Sequence, residues 1–159
     1  PEQLEAFYAR IIADDVDYFA ISRNYAAGLW QVPPLWQQSR LPVKIIKGQV
    51  TGPVSFGMTV TTADKKSIIY DQTLADVLVK HLVMKSRWQE DFLQQIFPDR
   101  PVMMFFDEPY MVSFGTAFCS LSREIVVAML EEVFSAVKGL SGVHCCGNTD
   151  WSLLLQTSV

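Results

Sequence analysis

No uninterrupted apolar run of about 18 residues occurs in this chain, so no membrane-spanning helix is expected. No basic stretch leading into an apolar one opens it, so no signal peptide is read there. Basic charge is scarce as well: 13 Lys and Arg stand against 17 Asp and Glu, giving a net charge of -4 and a pI near 5.1. A face that binds phosphates needs an excess of Lys and Arg, so neither nucleic acid nor an anionic membrane is an expected partner. Cysteine is limited to three residues, and two of these are adjacent (Cys145, Cys146). An odd count with that spacing does not make a disulfide scaffold, and a reducing cytoplasm is the simplest expectation.

What the chain does have is a core. Of its 159 residues half are hydrophobic and 19% are charged, the composition of one globular domain. It starts at Pro1 without a methionine and stops at Thr157-Ser158-Val159, where an apolar segment begins, which reads as a piece of a longer protein.

Apolar spacing orders the elements. Leu4, Phe7, Tyr8, Ile11 and Ile12 recur at helical intervals and predict a helix over Glu2 to Ile12, broken by Asp14, Asp15 and Asp17. Ala26 to Trp30 predicts a short helix stopped by Pro33-Pro34, with Trp30 and Trp36 as packing residues. Val43 to Val50 is a short β-branched strand candidate that ends in a Thr51-Gly52-Pro53 turn signal. Ile68 to Tyr70 reads as a short extended piece or loop. Asp71 can cap a long helix from about Gln72 to Phe97, whose apolar face is Leu74, Val77, Leu78, Leu82, Trp88, Phe92 and Ile96, with His81 beside it and Pro98 after it. Val102 to Phe106 is a continuous apolar run, expected of a strand covered on both faces. Ser122 can cap a helix over Arg123 to Lys138, with Ile125, Val126, Met129, Leu130 and Val133 inward. Val143 to Cys146 reads as a third buried strand, and Asn148 to Asp150 as the cap of a short helix through Leu155.

Strands alternating with helices predict a parallel α/β sheet. No G-x-G-x-x-G follows a strand, which removes support for a dinucleotide-binding sheet. A complete (β/α)8 barrel takes about 250 residues, so parallel βα repeats amounting to about half of a TIM-type barrel are expected.

Chemistry in such sheets collects at the carboxyl ends of the strands. All three candidate strands end in polar residues: Gln49 to Pro53, then Asp107-Glu108, then His144-Cys145-Cys146-Gly147-Asn148. Side chains alternate along a strand, so His144 and Cys146 share one face and Cys145 takes the other. An imidazole nitrogen and a thiolate two residues apart can reach one zinc ion, which needs further ligands from elsewhere; equally, Cys146 can be a small buried hydrophobe and His144 a hydrogen-bonded strand end. Asp107, on the face opposite Phe106, can hold a substrate ammonium group or cap its own loop.

Three blocks in order, Lys47-Gly48-Gln49-Val50-Thr51-Gly52-Pro53-Val54-Ser55, Phe106-Asp107-Glu108-Pro109 and Val143-His144-Cys145-Cys146-Gly147-Asn148-Thr149, carry a resemblance. The chain resembles the superfamily of cobalamin-independent methionine synthase and uroporphyrinogen decarboxylase over about residues 43–150. H-x-C-G-N-T looks especially like the zinc methyltransferases that activate coenzyme M. The resemblance implies a (β/α)8 barrel, zinc as cofactor held by His144 and Cys146, and an amino-acid or thiol substrate oriented by Asp107 and, less directly, Glu108. The reaction it implies is methyl transfer to a thiol, with the methyl donor left open. The family's remaining ligands, a Glu in some members and a Cys, follow the H-x-C strand; no Glu or Cys follows Cys146 here, and Cys119 precedes the motif. The site, and with it the activity, is therefore expected to be incomplete in these residues. A zinc-free decarboxylase-like enzyme and a non-catalytic half-barrel module are the alternative expectations, and the open edges of half a barrel predict self-association.

Overall fold

The computed structural model describes residues 2–39 and 41–159. Three strands form one parallel sheet in the order β1-β2-β3: β1 (Ile46–Thr51), β2 (Val102–Asp107) and β3 (Leu140–His144). Helices precede, connect and follow them: α1 (Glu2–Ile12), α2 (Ala27–Gln38), α3 (Pro53–Thr59), α4 (Gln72–Ile96), α5 (Arg123–Phe134) and α6 (Trp151–Leu154). The expected parallel α/β alternation is thus present. No described helix is long and apolar enough to cross a membrane.

Helices cover one face of the sheet only. Burial along β2 alternates: Val102, Met104 and Phe106 are buried, whereas Met103, Phe105 and Asp107 are part-exposed. The apolar run therefore does not mark a strand covered on both sides, as the sequence suggested; one face carries the core and the other is open. β1 follows the same rule, with Ile46, Gly48 and Val50 inward and Lys47, Gln49 and Thr51 exposed. On the covered side Phe106 meets Phe134 of α5 edge-on at 5.3 Å, and Gly48 leaves room for Gln89 and Leu93 of α4.

The long helix α4 starts and stops as its sequence dictates. Asp71 accepts the Leu74 N–H at 3.0 Å, and Phe97 closes the C-terminus before Pro98. Its buried stripe includes three polar residues, Ser86, Gln89 and Glu90, beside Leu78, Val79, Leu82 and Leu93. Gln89 Oε1 accepts the N–H of Gln49 at 2.6 Å. Glu90 accepts those of Lys138 and Gly139, just ahead of β3. Two helix side chains thus hold the backbone of the two outer strands.

Several boundaries differ from expectation. α2 continues through Pro33 and Pro34 to Gln38. Each proline removes one N–H from the helix ladder without ending it. Its indoles stack into the core: Trp30 lies 4.9 Å from Phe92 and Trp36 4.8 Å from Phe97. Gly52-Pro53 is not a simple turn but the start of α3, with Pro53 at the first helical position, where a missing N–H costs nothing. Ile68 to Tyr70 is a 3-10 turn, not an extended piece. α5 ends at Phe134, four residues early, and Ile125 is 47% exposed because the helix turns Val126, Leu130, Val133 and Phe134 inward. β3 ends at His144, so Cys145 and Cys146 lie just beyond it, and the strand is only half-buried. Ser122 and Asp150 cap α5 and α6 as expected.

Candidate functional site

The pairing register lines up three residues across the carboxyl end of the sheet. Thr51 of β1 pairs with Asp107 of β2, and Asp107 with His144 of β3. All three belong to the uncovered face. One row behind them come Gln49, Phe105 and Gly142, and behind those Lys47, Met103 and Leu140. A Cβ at Gly142 would meet the Phe105 ring at 2.8 Å, so the glycine lets that ring approach β3 closely.

Asp107 is held by a short polar relay along β1. Lys47 sits 4.4 Å from the Phe105 ring centroid and donates from Nζ to Gln49 Oε1 at 3.0 Å. Gln49 Nε2 in turn donates to Asp107 Oδ2. The other carboxylate oxygen, Oδ1, is shut off from solvent and has no donor. A carboxylate with one oxygen uncompensated favours a donor, an ammonium group above all, once neighbouring side chains move aside to let it reach that oxygen. Gln49 and Lys47 were legible only as part of a polar strand end; the signal that joins them to Asp107 is the two-residue period that puts 47, 49 and 51 on one face.

Glu108 sits behind the sheet. Its carboxyl group is fully buried and accepts the N–H groups of Val54 at 2.9 Å and Ser55 at 2.7 Å, the first turn of α3. Burial pushes its pKa up to about 7, against the pull of those donors, with the nearby Asp107 charge adding to the rise. The structure therefore separates the two acidic residues: Asp107 faces the open side and Glu108 is committed to backbone.

His144 and Cys146 are both exposed, and Cys145 packs against the core. Thr149 Oγ1 donates to the Met111 carbonyl at 2.7 Å and anchors the loop that carries them. His144 and Cys146 supply one nitrogen and one sulfur donor, types that suit zinc. Among the described residues no group of three or more His, Cys, Asp or Glu is arranged to hold a metal ion. Cys119, buried in the loop before α5, is not brought into such a group.

The other histidine is a packing residue. His81 lies edge-on to Phe19 at 5.6 Å, and burial, helped by the Lys85 charge, lowers its pKa to about 4. A groove of about 570 Å³ between α4 and α5, lined by Ile69, Val79, Leu121, Ile125 and Met129, contains none of the strand-end residues.

No family model, curated protein or solved structure matches this chain.

Proposed function

We propose that this chain carries the substrate and part of the metal site of a zinc-dependent, methionine-synthase-like methyltransferase, built on about half of a TIM-type barrel. The observation that supports the reading is the row Thr51–Asp107–His144 at the carboxyl ends of three parallel strands, on the face without helices. In a barrel that face is the interior, and that end is where chemistry collects.

His144 and Cys146 would be two of the ligands that a tetrahedral zinc requires; no third is grouped with them among the described residues. When bound, the metal would hold a substrate thiol as thiolate, the form that attacks a methyl group, whereas a free thiol with a pKa near 8.5 is mostly protonated at neutral pH. The chain's own contribution is orientation. Asp107, fixed by Gln49, presents negative charge to the ammonium group of an amino-acid substrate, and the Phe105 ring, close against Gly142, supplies an apolar surface beside it.

Metal analysis of the purified full-length protein, with the residues that would complete the site, tests the reading. About one zinc per chain is expected, lost in His144→Ala and Cys146→Ser and kept in Cys145→Ser. Equal zinc in all three variants overturns it.

A further inference from the structure

Glu108 follows Asp107, so strand alternation turns its side chain to the covered side of the sheet. There it is tied in two directions. Its carboxylate accepts the N–H groups of Val54 and Ser55, at the start of the helix that leaves β1. Its own N–H donates to the carbonyl of His144, the last residue of β3, at 2.7 Å. Tyr110 N–H, two residues on, donates to Ser55 Oγ at 3.0 Å and closes the same knot. Gly52 is what admits the carboxyl group: a Cβ there would run into it. Gly52 N–H itself donates to the Asp107 carbonyl at 2.8 Å.

One residue thus connects the exits of all three strands. The functional row lies on the open face, and the fastening that spaces it lies on the other. We infer that Glu108 is a positioning residue, which from behind the sheet sets where Asp107 and His144 stand relative to one another. The inference rests on the reading that this row is the site.

The fold supplies its own control. Glu90 is another buried carboxylate that accepts backbone N–H groups, those of Lys138 and Gly139, but at the entrance to β3. That end is about 13 Å from His144 along the strand. If Glu108 mattered only for stability, the two residues would behave alike.

The chain has two histidines, His81 and His144, so their ring signals in an NMR spectrum are assigned by one substitution. Glu108→Gln keeps the shape but leaves one of the two N–H groups without an acceptor. It is expected to shift the His144 ring signals while leaving those of His81 in place. In the full-length protein it is also expected to weaken zinc binding about tenfold, as loss of a group that orients a ligand does, read by competition with a chromogenic chelator. Glu90→Gln is expected to lower the melting temperature and leave both the His144 signals and zinc affinity unchanged. Should Glu108→Gln not fold, Glu108→Asp, which keeps the charge and shortens the reach, is measured in its place. Unmoved His144 signals in the Glu108 variant, or an equal movement in Glu90→Gln, overturn the inference. A His144 response without zinc binding in any form, wild type included, leaves the positioning role standing and overturns the metal reading alone.

Discussion

Gly139 donates to Glu90 from a position so close to the Val102 carbonyl that it has no room for a side chain. The Gly139 N–H donates to Glu90 Oε1 at 2.6 Å, and a Cβ on Gly139 would be driven into the Val102 carbonyl and press on that same oxygen. The contact fixes where β3 begins against β2. Gly139→Ala is expected to destabilise the protein by about 2–3 kcal/mol, the scale of an overpacked site whose neighbours are backbone. Urea unfolding followed by circular dichroism measures it. A loss below about 0.5 kcal/mol would show that this loop shifts freely, as ordinary surface positions do.

Two titratable groups, the buried Glu108 and the half-buried His81, oppose one another in acid. Glu108 has its pKa raised from 4.5 to about 7, so the folded state holds its proton more tightly; the stability this contributes is complete below pH 4.5 and lost as pH rises through 7. His81 has its pKa lowered from 6.5 to about 4, so its contribution is complete above pH 6.5 and lost as pH falls through 4. Between pH 4.5 and 6.5 the two slopes cancel in part. Stability measured against pH is therefore expected to fall from pH 4.5 to 7 in His81→Phe, and to rise from pH 4 to 6.5 in Glu108→Gln. Parallel curves for the two variants would contradict the assignment.

Asp107→Asn tests the open face. The amide keeps the size of the carboxyl group and loses its charge. Binding of L-methionine, read by calorimetry, is expected to weaken about tenfold, the scale of one charge-assisted hydrogen bond. Binding of the same molecule without its amino group, 4-(methylsulfanyl)butanoate, is expected to stay unchanged, as is zinc content. Equal losses for both probes would mean that Asp107 shapes the site rather than meeting the ammonium group.

The open face also predicts association. Leu140 is 52% exposed on an outer strand, beside the part-exposed Met103 and one row behind Phe105. Apolar side chains next to an unpaired strand edge invite a second chain. Light scattering is expected to report species larger than a monomer, and Leu140→Lys to shift them toward monomer. A wild-type monomer with a cooperative melt would retire the half-barrel reading before the strand assignments.

Local chemistry made much of the fold legible. The three strands, the Asp71, Ser122 and Asp150 caps and the long α4 follow from β-branched runs, capping residues and helical spacing. The candidate residues fell on the expected strand ends for the same reason. Coverage was harder to read: Val-Met-Met-Phe-Phe is apolar at every position, so nothing in it distinguishes the open face from the covered one. The α3 start was hidden because Gly-Pro signals a turn and a helix beginning equally well. The division of labour between Asp107 and Glu108 was hidden too. Alternation put them on opposite faces, but only the three-dimensional approach of α3 assigns one of those faces to backbone.

The hydrogen bond from Gln49 N–H to Gln89 gives the sheet a direction of growth. Ile46 and Gly52 send their N–H groups to Pro101 and Asp107, beside β2, so alternation along the strand sends that of Gln49 to the outer edge of β1. There it is already taken by a side chain only 7% exposed. A strand arriving at β1 must first dislodge a buried glutamine from mid-strand; at β3 the α4 side chain of Glu90 takes N–H groups only at Lys138 and Gly139, ahead of the strand itself. Extension beyond β3 is therefore the easier step in building outward from these three strands, and the Gln49 amide is the proton in which slow hydrogen exchange would record whether the β1 edge stays closed.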